Sequence, residues 1–352
     1  MRAAAARAIG KSRYEPAQKA LEKSSSSKDA FVRANSIEAL ALVDPEGNRK
    51  RYLKGLRDKD GGVRCALLAT ALVAYPDQAE VLSTNMLDDE DWRPRMQATD
   101  NLGTIKTKTS VDALIRATED GRPTVGLRAI TNLQKLTGQG HTRGDQWTRW
   151  WAENRETFEF PEGEGAITRG EGATVTTFNG IQLSSDHVAF PMDKSKAMND
   201  RLTSRGCSKD EAAHQELTGV FESLEDGLDF NIFNYALDVD AFQKKAVGLT
   251  KVTARKGLTF HEEGRIDGAK DIWAVLESVL SDPTLDTVYL LSSGELDTGL
   301  YVHWNRVTWQ LQELNRFHKI TVHSIAYTDN DWYAQQLERI SDCTEGEFRR
   351  FE

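Results

Sequence analysis

A carboxylate and a hydroxyl stand two residues apart where an apolar run of the sequence ends and a helix is predicted to begin. The run reads His187-Val-Ala-Phe-Pro-Met-Asp193-Lys-Ser195-Lys-Ala197. Such oxygens are ligands for a hard cation, and Mg²⁺ prefers six of them in near-octahedral order. Because Ala197 supplies no second hydroxyl, the run indicates a degraded cation site.

No motif for enzyme chemistry accompanies this run. The sequence contains no GxxxxGK[ST] phosphate loop, no HExxH zinc pair and no GxSxG nucleophile elbow. His261-Glu262-Glu263 lacks the second histidine that a zinc protease needs, and the three cysteines fit no zinc or disulfide framework. We therefore predict no catalytic residue and a protein that is not an enzyme.

The elements around the run alternate between strands and helices. The predicted strands are 188–192, 230–237, 287–292 and 320–327. The predicted helices lie near 196–204, 209–224, 239–256, 268–281, 303–317 and 331–342. This alternation is typical of an α/β doubly wound, Rossmann-like sheet with helices on both faces and ligands at the carboxyl ends of its strands. Asp193 and Ser293 fall at such ends, whereas Pro191 removes a ladder donor and predicts a bulge or an irregular sheet.

These strand ends resemble the metal-ion-dependent adhesion site of von Willebrand factor A (vWA) domains. That family uses Asp-x-Ser-x-Ser after its first strand, a Thr in a second turn and an Asp in a third. The matching positions in this sequence are Asp193, Ser195, Ala197, Lys270 and Ser293. Ala197 replaces the second Ser, Lys270 the Thr and Ser293 the Asp. The resemblance covers residues 183–352 and implies a vWA-like domain with a degenerate site.

The substitutions imply that no metal is held at this site. A lysine ammonium at the position of Lys270 repels a divalent ion and can pair with Asp193 instead. Our hypothesis is that Lys270 replaces the metal and locks the site in one state. The alternative is a divalent cation such as Mg²⁺ held by Asp193, Ser195 and Glu295. Asp297, from the same turn as Glu295, could supply the acid instead.

The first half of the chain is an internal repeat. Arginines recur every 31 residues, at Arg2, Arg33, Arg64 and Arg95. Asp29, Asp60 and Asp91 precede the last three by four residues, so we predict that each Asp caps a helix and pairs with its Arg. An arginine ladder that binds an anionic ligand is the alternative. The pattern resembles all-α HEAT-type repeats over residues 1–138, which implies a superhelical solenoid.

The register also describes the two ends of this repeat region. Met1 falls at the register position of Val32 and Val63, so we expect the chain to begin within a repeat. Residues 139–182 follow as a separate segment, with a Trp-rich capping helix at 142–151 and a Gly/Thr-rich linker and hairpin that include a strand over 173–178. We interpret the tryptophans as closing the last repeat, with a ligand cage as the alternative.

Charge divides the same two halves. Residues 1–155 carry 26 Lys+Arg against 20 Asp+Glu, a net charge of +6, and the remainder carries 19 against 34, a net of −15. No basic face interleaved with aromatics is evident, which argues against nucleic acid. No membrane span or export signal is evident either, so we expect a cytoplasmic protein, or a periplasmic one if a leader was removed.

The function predicted from these features is that of a non-enzymatic scaffold. We expect protein partners, in a homo- or hetero-oligomeric assembly. Combinations of the two resembled modules are similar to bacterial proteins, and some vWA-type proteins act beside AAA+ ATPases. The alternative is a metal-dependent adhesion or receptor module, in which the ion completes its coordination with a partner's carboxylate.

Overall fold

The computed structural model describes residues 1–163, 165–167, 176–224, 226–296 and 298–352. The chain divides into two compact units, Met1–Glu171 and Gly172–Glu352. The hairpin that we placed in the linker belongs to the second unit. Of the strand expected over 173–178, the structure has Thr177–Phe178, and residues 173–175 lie outside the described ranges. Within those ranges, no helix is long and apolar enough to span a bilayer.

The first unit consists of short helices joined by tight turns. They are α1 (Arg2–Ser12), α2 (Gln18–Ser24), α3 (Ala30–Val43), α4 (Pro45–Gly55), α5 (Gly61–Ala74), α6 (Pro76–Met86), α7 (Trp92–Leu102), α8 (Lys108–Ala117), α9 (Pro123–Thr137) and α10 (Gly144–Asn154), with a 3₁₀ turn at Glu15–Ala17. The aspartates at 29, 60 and 91 start α3, α5 and α7, where each side chain accepts hydrogen bonds from backbone N–H groups of the first turn. These bonds satisfy donors that a helix start otherwise leaves unpaired.

Alternate helices of this unit form one packed row. Helices α1, α3, α5, α7 and α9 each pack against the next one in the row, while α4, α6 and α8 each contact the row helices before and after them. The row is close-packed at its start, where a Cβ added to Gly10 of α1 would lie 2.7 Å from the Cα of Ala39 in α3. Tyr52 and Tyr75 donate from their hydroxyls to the carbonyls of Leu67 and Pro45, each at 2.8 Å. Buried apolar faces and these side-chain bonds together join successive helix pairs.

The second unit is built on a mixed sheet. Its strands are β1 (Thr177–Phe178), β2 (Ile181–Gln182), β3 (His187–Asp193), β4 (Arg201–Leu202), β5 (Cys207–Ser208), β6 (Asp229–Tyr235), β7 (Val239–Ala241), β8 (Val247–Gly248), β9 (Thr287–Ser292), β10 (Thr321–Tyr327) and β11 (Phe348–Phe351). Its helices are α11 (Lys209–Ser223), α12 (Lys251–Glu262), α13 (Ile272–Leu280), α14 (Trp304–His318) and α15 (Asp331–Asp342), with a 3₁₀ turn at Lys196–Asn199.

The main sheet has the order β11-β10-β9-β3-β6-β7, with β8 also on β6. The pairs from β11 through to β6 are parallel, whereas β7 and β8 are antiparallel to β6. Alternating residues of the strands face two separate cores. Phe190 of β3 packs in the core that includes α11, and Ala189 packs in the core formed by α13, α14 and α15. The parallel α/β sheet with helices on both faces agrees with the sequence prediction.

Three local predictions differ from the structure. Residues 239–256 form β7, β8 and the start of α12 rather than one helix, since a capping box between Thr250 and Thr253 begins α12 at Lys251. The helix expected over 196–204 is a 3₁₀ turn followed by β4. The strand around Pro191 is not bulged. Its pairing with β6 is continuous through Pro191. On the β9 side, Phe190 and Pro191 have no paired residue, so the strand tolerates the backbone N–H that Pro191 lacks.

Candidate functional site

The residues of the resembled adhesion site come from three separate segments. Asp193 ends β3, Ser293 follows β9, and Lys270 lies in the turn before α13. Because β3 and β9 are neighbouring parallel strands, their carboxyl ends meet at one edge of the sheet. Asp271 fixes the turn, since its N–H donates to the carbonyl of Ala236 at 2.8 Å and its side chain caps α13. The structure therefore brings together residues that are far apart in the sequence.

The ammonium of Lys270 lies among three side-chain oxygens. Its Nζ is 2.9 Å from Asp193 Oδ2 and 3.3 Å from Ser195 Oγ, and it also donates to Ser293 Oγ. An ammonium has three N–H donors, so these contacts use all of them. Lys270 and Asp193 are completely buried. The ion pair expected between these two residues is present, and it takes up the hydroxyls that surround it.

The carboxylate of Asp193 is equally well satisfied. Its Oδ1 accepts from the N–H of Ser195 at 2.8 Å, and its Oδ2 accepts from the N–H and Oγ of Ser293 at 2.8 and 2.9 Å. Burial raises the pKa of this carboxyl, but the charge of Lys270 and the hydrogen bonds from Ser293 and Ser195 outweigh it, so that the pKa of Asp193 lies below its usual range. Asp193 is thus a buried anion held by one buried cation.

The remaining positions of the resembled site contribute no ligand to this cluster. Ala197 is half-buried in the 3₁₀ turn, and its methyl group has no donor or acceptor. Glu295 is half-buried and, within the described part of the chain, has no hydrogen-bond or ion-pair partner. Asp297 lies outside the described residues. The atoms around Lys270 do not fit a divalent cation, because the position between the three oxygens already holds a positive charge.

A second buried lysine, which the sequence analysis did not identify, directly follows Asp193 in the sequence. Lys194 is 1% exposed, and its Nζ is 2.7 Å from Asp210 Oδ1. Burial lowers the pKa of Lys194, although Asp210 opposes this effect. The buried His261, whose Nδ1 is 3.3 Å from that of His214, has a pKa lowered well below its usual value by burial, by Lys194 and by His214. The available signal was strand alternation, which directs Lys194 to the face opposite Asp193.

A cluster of metal-ligand types lies at the opposite, amino-terminal edge of the sheet. Ligand atoms of Asp186, His187 and Asp286 all lie within 4.8 Å of one another. His187 Nδ1 is 2.6 Å from Asp186, and its Nε2 is 3.5 Å from Asp229. Each ring nitrogen of His187 thus lies near a carboxylate oxygen, and Asp286 also accepts a hydrogen bond from Ser185. We interpret this cluster as a network of contacts among these side chains.

The arginine register of the first unit forms a ladder, but not with the partners that we predicted. The guanidinium groups of Arg33, Arg64 and Arg95 each make two hydrogen bonds to an aspartate 25 residues later and not to the helix cap four residues earlier. The pairs are Arg33–Asp58, Arg64–Asp89 and Arg95–Asp120, with N···O distances from 2.5 to 2.9 Å. The capping carboxylates are already engaged with the helix start, and the second aspartate series follows the same 31-residue spacing. The carboxylates of Asp58, Asp89 and Asp120 thus accept the paired N–H donors of each guanidinium, which an anionic ligand would otherwise bind.

The Trp-rich segment forms an aromatic cluster on α10. Trp147 and Trp151 are buried, and Trp150 contacts both of them at centroid distances of 5.8 and 5.6 Å. Helix α10 packs against α8, and Trp151 Nε1 donates to Asp112 of α8 at 2.6 Å. These contacts agree with closure of the last repeat.

Comparisons with known proteins find only remote similarity. No protein-family model matches the chain, and no curated protein matches it. The structure is similar to a von Willebrand factor type A protein from Catenulispora acidiphila, with 13% identity and a TM-score of 0.39, over 49% of this chain and 40% of that chain. It is also similar to proximal thread matrix protein 1 from the mussel byssus, with 14% identity and a TM-score of 0.35, over 47% and 43% of the two chains.

A third similar structure is the PilB minor pilin from Streptococcus sanguinis, with 14% identity and a TM-score of 0.35, over 54% of this chain and 61% of that chain. The match thus spans two fifths to three fifths of these proteins' own lengths. Similarities this remote do not assign the chain to a family.

Proposed function

We propose that this protein is a non-enzymatic interaction protein, with a HEAT-like helical unit and a vWA-like unit in which Lys270 takes the place of a divalent cation. The observation that carries the proposal is the position of the Lys270 ammonium, 2.9 Å from Asp193 Oδ2 and within hydrogen-bond reach of Ser195 and Ser293. A vWA-like unit with this arrangement presents a permanently closed site. Partner binding by such a unit is independent of metal.

Several features support the HEAT-like and vWA-like assignments together. The first unit repeats its helix caps and Arg–Asp bridges at a spacing of 31 residues, as stacked helix pairs do. The second unit has a parallel sheet core whose carboxyl edge holds Asp193 and Ser293. A packed repeat array, together with a buried Lys270–Asp193 ion pair at that edge, supports binding of protein partners as the proposed function.

The second candidate function is metal-dependent adhesion through Asp193, Ser195 and Glu295. It requires the Lys270 side chain to leave the cluster. The buried ion pair between Lys270 and Asp193 would then be broken. Breaking a buried ion pair costs about 3–5 kcal/mol, and a cation would have to offset that cost through the carboxylates of Asp193 and Glu295 and the hydroxyl of Ser195. Half-buried Glu295, which has no partner in the described ranges, is the feature that keeps this candidate open.

Direct titration with Mg²⁺ and Mn²⁺ tests the proposal. We expect no binding by the parent chain at millimolar concentrations, measured by calorimetry and by Mn²⁺ electron paramagnetic resonance. A variant with Ala197→Ser, Lys270→Thr and Ser293→Asp restores the oxygens of the resembled motif and is expected to bind the ion.

The matched control is Ala197→Ser alone, which adds a hydroxyl but keeps Lys270. Ion binding by the parent chain or by this control would refute replacement of the metal by Lys270. Failure of the folded triple variant to bind would argue against descent from a metal site.

A further inference from the structure

Helix α12 packs on the second unit with few buried residues. Of its twelve residues, all of which the structure describes, only Gly257 and His261 are buried. Ala254, Leu258 and Phe260 are half-buried against the core. The next helix, α13, buries six of its nine residues, and all six are apolar. Because glycine has no side chain, the one fully buried side chain that anchors α12 is an imidazole.

This imidazole is paired with a second histidine on α11. His261 Nδ1 is 3.3 Å from His214 Nδ1, and the ring centroids are 5.4 Å apart. In such a pair one Nδ1 carries the proton and the other accepts it. His261 Nε2 is buried and has no hydrogen-bond partner within the described part of the chain. A proton added to His261 would therefore either break the pair or leave a buried donor without an acceptor, and in both cases it would bury a charge.

The charged groups around the histidine pair do not compensate such a charge. Lys194, at the end of β3, is itself buried, and its Nζ donates to Asp210 of α11 at 2.7 Å. The Asp210 carboxylate thus already faces a lysine, and Glu262 of α12 is exposed. Burial, Lys194 and His214 together hold the pKa of His261 well below its usual range. The folded unit therefore keeps His261 neutral in mildly acidic solution, where a solvated histidine is protonated.

Helix α12 covers apolar side chains of β6. A Cβ added to Gly257 would lie 3.0 Å from Ile232 Cδ1 and 3.2 Å from Phe230 Cε2, so the helix backbone lies directly on these two residues. From the same strand, the uncharged amide of Asn234 donates to the carbonyl of Phe260 at 2.9 Å. Phe230 and Ile232 are completely buried. Displacement of α12 would expose both of them to water.

We propose that α12 is an acid-sensitive cover: protonation of His261 releases α12 from α11 and β6 and exposes the apolar side chains of Phe230 and Ile232. At neutral pH the histidine pair holds the helix closed. In mildly acidic solution the released imidazole binds a proton that the closed form excludes, so acid favours release. This inference goes beyond the proposed interaction function and does not depend on Lys270.

The direction of the pH dependence follows from the two states of His261. In the released state its pKa is about 6.5, the value of a solvated histidine, whereas in the closed state it lies well below that value. The closed form therefore has its full stability above about pH 6.5 and loses stability as the pH falls below it. One proton taken up on release raises the released population about thirtyfold between pH 7.5 and pH 5.0.

Hydrogen exchange of the full chain, measured by mass spectrometry from pH 7.5 to pH 5.0, tests this release. After correction for the intrinsic pH dependence of exchange, we expect the exchange rate of α12 peptides to rise about thirtyfold while that of α13 peptides stays constant. Fluorescence of the apolar dye 8-anilinonaphthalene-1-sulfonate should rise over the same range, because Phe230 and Ile232 become accessible. No rise in α12, or an equal rise in both helices, would overturn the proposal.

Two substitutions assign the effect to one histidine. His261→Phe keeps an aromatic ring but cannot bind the proton, so α12 should stay protected at pH 5.0. His214→Gln leaves His261 in place, so the rise should persist. A rise retained by His261→Phe, or lost in His214→Gln, would refute the role of His261. If His261→Phe already releases α12 at pH 7.5, the profiles of the parent and of His214→Gln decide the question.

The matched control removes a different histidine. His303 is exposed at the start of α14, where its side chain accepts a hydrogen bond from the N–H of Asn305. His303→Asn keeps a capping side chain and is expected to leave the α12 profile unchanged. The metal titrations do not involve α12, so the two proposals fail separately.

Discussion

At the scale of single residues, the central feature of the second unit is a buried charge pair. Lys270 and Asp193 are both completely buried and 2.9 Å apart. Two buried charges gain from each other mainly by avoiding the cost of an unpaired charge. Each residue therefore contributes to stability chiefly by compensating the buried charge of the other.

Single and double substitutions test this dependence. Lys270→Met leaves the Asp193 carboxylate buried without a cation, and we expect it to lower the free energy of unfolding by about 3–5 kcal/mol. Lys270→Met/Asp193→Asn removes both charges with little change in shape, so it is expected to lose less than the single variant. The measurement is urea unfolding of the full chain, followed by hydrogen exchange of β3 and β9 peptides. Additive losses from the two substitutions would contradict the coupling.

The same pair predicts a dependence on pH. The pKa of Asp193 is lowered in the folded protein relative to about 3.9 in an unfolded chain. The carboxylate therefore contributes stability above about pH 3.9, and this contribution is lost as the pH falls through the lowered pKa. Below that pH, we expect the free energy of unfolding of the parent to fall relative to that of Lys270→Met/Asp193→Asn. Parallel unfolding curves from pH 7 to pH 3 measure it, and a difference that is constant throughout would contradict the assignment.

At the scale of elements, the Arg–Asp bridges connect successive helix pairs of the first unit. Arg64 donates two hydrogen bonds to the carboxylate of Asp89, in the turn before α7. It also donates to the carbonyl of Asp58, in the turn before α5, at 2.7 Å. Its side chain and that of Asp89 are only 7% and 8% exposed. The Arg64 side chain therefore connects the turn before α5 with the turn before α7.

Substitution of Arg64 is therefore expected to weaken the stack. Arg64→Met should lower the free energy of unfolding of this unit by about 1.5–3 kcal/mol, the range for hydrogen bonds to charged groups. Arg64→Lys should recover only part of the loss, because an ammonium cannot make the two parallel bonds of a guanidinium. Hydrogen exchange of α5 and α7 peptides in urea reports the change.

Arg149→Met provides the control, since its bond to Asp145 is largely exposed and should contribute little. Full recovery of stability by Arg64→Lys, or an equal loss in Arg149→Met, would argue against a specific role for the ladder.

At the scale of the whole molecule, the two units use repeated and unrepeated charge differently. In the first unit, aspartates and arginines recur at one spacing, so each bridge is a copy of the last. In the second unit, the comparable contacts occur once each, between residues as distant as Asp193 and Ser293, which are 100 positions apart. A repeat can therefore be recognised from its own copies, whereas a single buried cluster is recognised only through resemblance to another protein.

The sequence by itself determined the features that depend on local interactions. The 31-residue register, the capping positions of Asp29, Asp60 and Asp91, and the alternation of strands and helices after residue 183 follow from apolar periodicity and from hydrogen bonds within a few residues. The resemblance at Asp193 also identified Lys270 as its partner. Local patterns did not distinguish the helix predicted over 239–256 from edge strands, since pairing with β6 overrides helical propensity there.

Only the tertiary structure decided which charges meet. Arg64 selects Asp89 over the nearer Asp60, because the Asp60 carboxylate is already engaged at its helix start. The pairing of Lys194 with Asp210 of α11 gave no signal in the sequence, because contacts between a strand end and a helix depend on how the helix packs on the sheet. Sequence spacing determines register along a helix or strand, but burial and charge pairing depend on distances between elements, which form only in the folded protein.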